Sequence, residues 1–165
     1  MPKLNPSELS ALYKSCDISE TWSAGQSSKL INHPHYGYIS PNKFRSMHHG
    51  KPCPFCGQHM VHGQHTYSAS TKKEAINKGY EYTNQDGDVV IAQAGKRYFH
   101  PHYVTLDHRV NKARCPEQMF EYENLQIMCW KCNNNKGDNN AYELEQSFDF
   151  VKEIGKDTIN KYPLL

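Results

Sequence analysis

At 165 residues the chain is long enough for one domain with a modest core. Only 37% of it is hydrophobic, mean hydropathy is -0.84, and no apolar run approaches a bilayer span, which excludes a transmembrane class. Charged residues make up 22%, too many apolar residues remain for a compositionally disordered chain, and a net charge of +2 leaves only local basic clusters to argue for a nucleic-acid partner.

In chain order, residues 6–15 read as a short helix, with Pro6 in its first turn and Leu9, Leu12 and Tyr13 on one face. From Cys16 to Ser46 there is little periodicity. Trp22, Tyr36, Tyr38 and Phe44 are the expected anchors there, and His33-Pro34-His35 reads as a loop. Residues 71–79 predict a helix capped by Thr71 and stopped by Gly79. Asp88–Ala94 and Lys96–His100 predict a hairpin around Gly95, and Tyr103–Val110 a further strand with Val104, Leu106 and His108 on one face. Residues 111–123, containing Pro116, read as a loop with a helical turn near 117–122. A helix starts near Cys132, and another runs over 139–152 with Leu144, Phe148 and Val151 on one face and a stop at Gly155.

The six cysteines divide unequally. Cys53-Pro54-Phe55-Cys56 and Cys129-Trp130-Lys131-Cys132 are two Cys-x-x-Cys pairs, each able to turn two sulfurs toward one ion. The N-terminus has no signal-type apolar run, so a cytoplasmic location is expected and the pattern favours zinc over disulfides. Four thiolates close a tetrahedral site, so this zinc is expected to be structural, stapling a thin core. Cys16 and Cys115 read as isolated free thiols. His48, His49, His59, His62 and His65 flank the first pair and read as loop or nucleic-acid-facing groups; His100 and His102 read as structural.

Between the pairs stand Asp107-His108 at a strand end and Asn124-Leu125, with Asn133 directly after the last cysteine and then Lys136-Gly137. Phosphodiester hydrolysis needs an activated water, a Lewis acid and charge neutralisation. His108 suits a general base, and an unperturbed imidazole would lose that capacity below pH ~6.5. Asp107 and Asn133 offer hard oxygens to Mg2+ or Mn2+. Lys136 is placed for a phosphate or for developing charge, and Arg109, Lys112 and Arg114 form a basic run for phosphate contacts. Asp107 and His108 leave an extended strand on opposite faces, so a bend or bulge is expected to bring them to one phosphate.

This order of motifs resembles the HNH endonucleases, ββα-metal (His-Me finger) nucleases, in their zinc-clamped four-cysteine subtype. The resemblance covers about half the chain, Cys53 to roughly Asp138. Asn stands at 133 where many members carry His, and Asn111 stands where a proline often follows the Asp-His pair. It implies a catalytic set of His108, Asp107, Asn124, Asn133 and Lys136. Asn124 orients the base and its loop, and Asp107 and Asn133 hold the catalytic ion. It also implies DNA as substrate and 5′-phosphate and 3′-hydroxyl ends.

The expected architecture is α+β: a single zinc-stapled domain over 1–165, with an N-terminal extension (1–50), an HNH core with an inserted helix and hairpin (51–140), and a C-terminal helix and tail (141–165). A role as nuclease subunit of a restriction or phage-defence system, with a protein partner supplying targeting, fits the resemblance. The rival reading is a non-catalytic, zinc-dependent nucleic-acid-binding module.

Overall fold

The computed structural model describes residues 15–137, 139 and 142–162, so the helix expected over 6–15 falls almost wholly outside the described residues. No described helix is long and apolar enough to cross a membrane. The segment that showed no periodicity is in fact structured. Helix α1 (Ser15–Ala24) runs into a 3-10 turn, and strands β1 (Ile31–His33) and β2 (Gly37–Ile39) form an antiparallel hairpin. Helix α2 (Pro41–Ser46) follows, and Ser40 caps it by accepting from the Lys43 amide at 3.2 Å. These elements are too short for a 3.6- or 2-residue period to emerge from the sequence. Trp22 and Phe44 are anchors as expected: Trp22 stacks on Phe120, and Phe44 is buried. Tyr36 and Tyr38 are not, being 64% and 63% exposed on the hairpin, where they face solvent rather than the core. Gly25 is fixed by close approach, because a Cβ there would lie 2.6 Å from the Phe120 ring.

The first cysteine pair sits in a tight knuckle. Gly57, at φ +72°, donates its amide to the Cys53 carbonyl at 2.9 Å, and the Cys53 amide donates to Gln58 at 2.8 Å. A four-stranded antiparallel sheet is inserted next, in the order β3 (Ser68–Ala69), β6 (Arg97–Phe99), β5 (Val89–Ala94), β4 (Glu81–Thr83). The expected β5–β6 hairpin is present. So is helix α3 (Lys72–Asn77), whose cap Thr71 accepts from the Glu74 amide and which ends before Gly79 at φ +72°.

Strand β7 (Val104–His108) pairs antiparallel with β8 (Leu125–Cys129), and helix α4 (Trp130–Lys136) leaves directly from β8. The β7–β8 register is unbroken from Val104↔Cys129 to His108↔Leu125, so the expected bulge is absent. The loop between them carries 3-10 turns at Pro116–Gln118 and Tyr122–Asn124. Helix α5 (Tyr142–Lys161) passes straight through Gly155, which is no stop; one glycine in a long helix costs about 1 kcal/mol, too little to end it. Its Leu144, Phe148 and Val151 face solvent.

The main core joins Ile31, Ile39 and Phe44 to Met60, Val104, Leu106, Leu125, Ile127 and Met128, with Cys53, Cys129 and Cys132 in the same cluster. Residues 31–44 therefore supply one wall of the core behind the β7–β8 pair. Ile31 is fully buried. Ile31→Ala should lower global stability by about 2–5 kcal/mol in urea unfolding, the usual cost of a large-to-small core truncation. A loss within 0.5 kcal/mol would show that this wall does not share the cooperative core.

Candidate active site and metal centre

The four sulfurs of Cys53, Cys56, Cys129 and Cys132 lie within 4.8 Å of one another. Among the described residues they are the one converging group of three or more His, Cys, Asp or Glu ligands. The Cys56–Cys129 Sγ separation is 3.8 Å, the edge expected of a tetrahedron with metal–sulfur bonds of about 2.3 Å. The Cys129 amide also donates to Cys53 Sγ at 3.4 Å, which orients that sulfur. Hydrogen bonds from the Cys129 and Cys132 thiols hold Cys53 far below the usual thiol range, while hydrogen bonding to Cys129 and Cys53 pushes Cys132 far above it. Four sulfurs this close cannot all be thiolates without a cation among them, so the cluster has the donor set and spacing of a zinc site. His33 and His35 lie near each other, with rings 5.9 Å apart, but no third ligand joins them among the described residues. Cys115 is half-buried and free of a disulfide.

A second site forms where β7 and α4 meet. Asp107, His108, Asn111, Lys112, Asn133, Asn134, Lys136 and Gly137 line a cleft of about 260 Å3. The strand alternation sends Asp107 outward and His108 inward. Asp107 Oδ2 accepts from Gln126 Nε2 at 3.0 Å and from Lys136 Nζ at 2.5 Å, and no described residue hydrogen-bonds Oδ1. Asn133, in the second turn of the sequence after Cys129, donates from Nδ2 to Thr105 Oγ1 at 3.0 Å; Thr105 Oγ1 itself donates to the Met128 carbonyl at 2.8 Å. That chain fixes the Asn133 amide across the cleft from Asp107.

His108 is 7% exposed, edge-on to the Trp22 ring at 4.7 Å, and its Nε2 lies 3.0 Å from the Met119 carbonyl. A carbonyl only accepts, so Nε2 carries the proton and Nδ1 holds the lone pair. Burial pushes the imidazole down to about 4, against smaller opposing help from the Met119 carbonyl. The imidazole therefore stays neutral well below the pH of 6.5 expected of a free side chain.

Lys136 departs from its expected place. It is 3% exposed, and its ammonium donates to Asp107 and to the His108 carbonyl at 2.8 Å. It faces the carboxylate rather than solvent, because α4 is pulled against β7 by the sulfur cluster. Asn124 is buried and outside the cleft. Its Oδ1 accepts from the Val110 amide at 2.8 Å, and its Nδ2 donates to the Val110 and Gln118 carbonyls, latching both ends of the loop that carries Met119. Of the basic run, Lys112 lines the cleft, Arg109 lines a separate groove beside β8, and Arg114 is exposed at neither.

The site contacts of Thr105, Gln126, Trp22 and the Met119 carbonyl were not expected from the sequence; Trp22 was expected only as an anchor. Gln126 had a signal: a polar residue inside an apolar strand, buried opposite Asp107 in the register. Trp22 had none, since its contact with His108 depends on the tertiary path of α1.

One comparison falls on this region. A family model described as HNH endonuclease matches residues 95–139. The matched segment contains β6, β7, β8 and α4, with Asp107, His108, Asn124, Asn133, Cys129 and Cys132, but not the first cysteine pair or the α1–α2 wall. It points to a nuclease or nucleic-acid-binding function. No curated protein and no solved structure shows significant similarity to the chain.

The folded imidazole of His108 lies below its unfolded value, so burial of the neutral form favours folding. Its contribution is complete above pH 6.5 and is lost as pH falls from 6.5 toward 4. On acidification to about pH 4, wild type should lose on the order of 3 kcal/mol more stability than His108→Gln. Urea unfolding of both proteins at pH 7.5 and near pH 4 tests this; parallel losses would contradict it.

Proposed function

We propose that the protein is a metal-dependent endonuclease that hydrolyses DNA phosphodiester bonds at the β7–α4 cleft. The observation that carries this reading is that Asp107, His108 and Asn133 all line that one cleft, inside the segment matched by the HNH endonuclease family model. Asp107 Oδ1 and the Asn133 amide oxygen are the hard donors for a divalent cation, Mg2+ or Mn2+. Such an ion supplies Lewis-acid stabilisation to the phosphate and leaving oxygen. His108 Nδ1 takes the proton from the attacking water, while the Met119 carbonyl holds the ring in that tautomer. Asn124 positions the loop that presents Met119. Lys112, at the cleft rim, meets a phosphate oxygen, and Arg109 and Arg114 contact the backbone further out. The four-cysteine zinc is structural, holding α4 against β7, and residues 15–137 act as one unit around it. Lys136 orients Asp107 rather than touching the substrate. A place as the nuclease subunit of a restriction or phage-defence system is compatible with this chemistry.

One observation favours a second reading. The Lys136 ammonium already neutralises one Asp107 oxygen, which would suit a zinc-stapled module that binds nucleic acid without cutting it. Cleavage separates the two. Asp107→Ala and His108→Ala should retain zinc and fold, and single-turnover cleavage of DNA with Mg2+ or Mn2+ should fall by about 10²–10⁴-fold for His108→Ala. Because the imidazole stays neutral to about pH 4, the His108-dependent rate should hold from pH 7.5 down to pH 5 rather than decline below 6.5. No metal-dependent cleavage by wild type would remove the nuclease reading and leave the binding module.

Loss of the zinc should unfold the protein. Structural zinc contributes roughly 10–16 kcal/mol of apparent binding free energy coupled to folding. Cys132→Ser should yield insoluble or molten protein, and elemental analysis of wild type should find one zinc per chain. Well-folded protein without zinc would refute the assignment.

A further inference from the structure

A second groove, of about 470 Å3, lies beside the cleft on the outer side of β7, lined among others by Asn42, Arg45, His62, Gln64, Tyr103 and Trp130. Arg45 comes from α2, outside the segment matched by the family model. It is partly buried, and its guanidinium donates to Gln26 Oε1 at 2.6 Å and to Asn42 Oδ1. Both partners are neutral amides, and among the described residues no carboxylate forms an ion pair with Arg45. Burying a cation without a counter-ion is costly, and a fold that tolerates it leaves an anion site. The two amides aim the guanidinium instead of neutralising it.

The groove floor is aromatic. Trp130 and Phe99 stack at 5.1 Å with ring planes 17° apart, and Phe99 meets Tyr103 edge-on at 5.0 Å. The groove is linked to the proposed active site through one hydrogen bond: Thr105 lines the groove, and the same Thr105 hydroxyl accepts from Asn133 of the cleft. A cationic fork lining one groove with aromatic side chains is the chemistry that grips a nucleic-acid backbone and gives a base an apolar surface to rest on.

From this juxtaposition we infer that the Arg45 groove is a substrate subsite, binding a backbone phosphate of the DNA strand next to the scissile one. The inference rests on the nuclease reading for its substrate, but it concerns binding alone. Arg45 is a positioning residue, and it touches a phosphate that does not react.

The test is fluorescence anisotropy with a labelled DNA oligonucleotide, across a salt series, with no added Mg2+ or Mn2+ and no chelator, so that cleavage is withheld while the structural zinc stays bound. Arg45→Gln keeps an amide to meet Gln26 and Asn42 but removes the charge. It should weaken binding by about tenfold, and the slope of log affinity against log salt should fall by about 0.7–0.9, one phosphate contact. Arg45→Lys should restore the slope. Gln64→Glu guards against a folding defect at Arg45, because the Gln64 side chain is exposed on the groove. It places a carboxylate there and should weaken binding with the melting temperature unchanged. Unchanged affinity and slope in Arg45→Gln and Gln64→Glu would overturn the subsite, as would wild type binding no DNA at all. Wild type that binds DNA with these slopes yet never cleaves it would remove the nuclease reading and leave the subsite standing.

Discussion

The rest of the structure depends on four sulfurs meeting at one point. Cys129 ends β8 and Cys132 lies in the first turn of α4, so both sides of the strand-to-helix junction are tied to the Cys53–Cys56 knuckle. That tie sets the angle at which α4 leaves the sheet. The angle in turn decides that Asn133 reaches Thr105 and that Lys136 reaches Asp107, both on β7. A covalent or metal-centred staple holds such an angle to within the tolerance a reactive site demands, which a small apolar core cannot do alone.

The cleft is built from groups that restrain one another. Asp107 carries a buried ammonium on one oxygen and a cross-strand amide on the same oxygen, which directs the other oxygen outward. A buried Lys–Asp pair contributes little net stability once desolvation is counted, so its worth lies in orientation. His108 gains its neutral state from burial against Trp22 and its tautomer from Met119. Asn124 joins these by latching the Met119 loop to the end of β7. The carboxylate and the imidazole, neighbours in sequence, thus occupy different electrostatic surroundings within one regular strand.

The residues preceding the first cysteine pair are more than an appendage. Ile31, Ile39 and Phe44 complete the core behind β7 and β8. Trp22 seals His108, and Arg45 supplies the one cation of the outer groove. The family-model match begins only at residue 95, so the matched segment is enclosed in part by residues that lie outside the match. The inserted four-stranded sheet reaches α4 through the stack of Phe99 on Trp130 and through the Tyr82 hydroxyl, which accepts from Asn134 at 2.8 Å.

Sequence alone determined the features written in local chemistry. The two Cys-x-x-Cys pairs, the Thr71 cap, the Gly95 hairpin and the alternation of Val104, Leu106 and His108 all follow from side-chain type and short spacing, and each is present. The α+β character was legible for the same reason, and so was the nearness of Asp107, His108 and Asn133, which line one cleft. Tertiary structure decided what depends on contacts between distant residues. Nothing local to Lys136 says that it turns inward to Asp107, nothing in α1 says that Trp22 covers His108, and nothing in Gly155 says that α5 continues through it. The short elements of residues 15–46 owe their form to the core they complete, because three- to ten-residue segments have too little intrinsic preference to hold it alone. Sequence named the candidate groups; burial and hydrogen bonding from far along the chain decided which partners each of them meets.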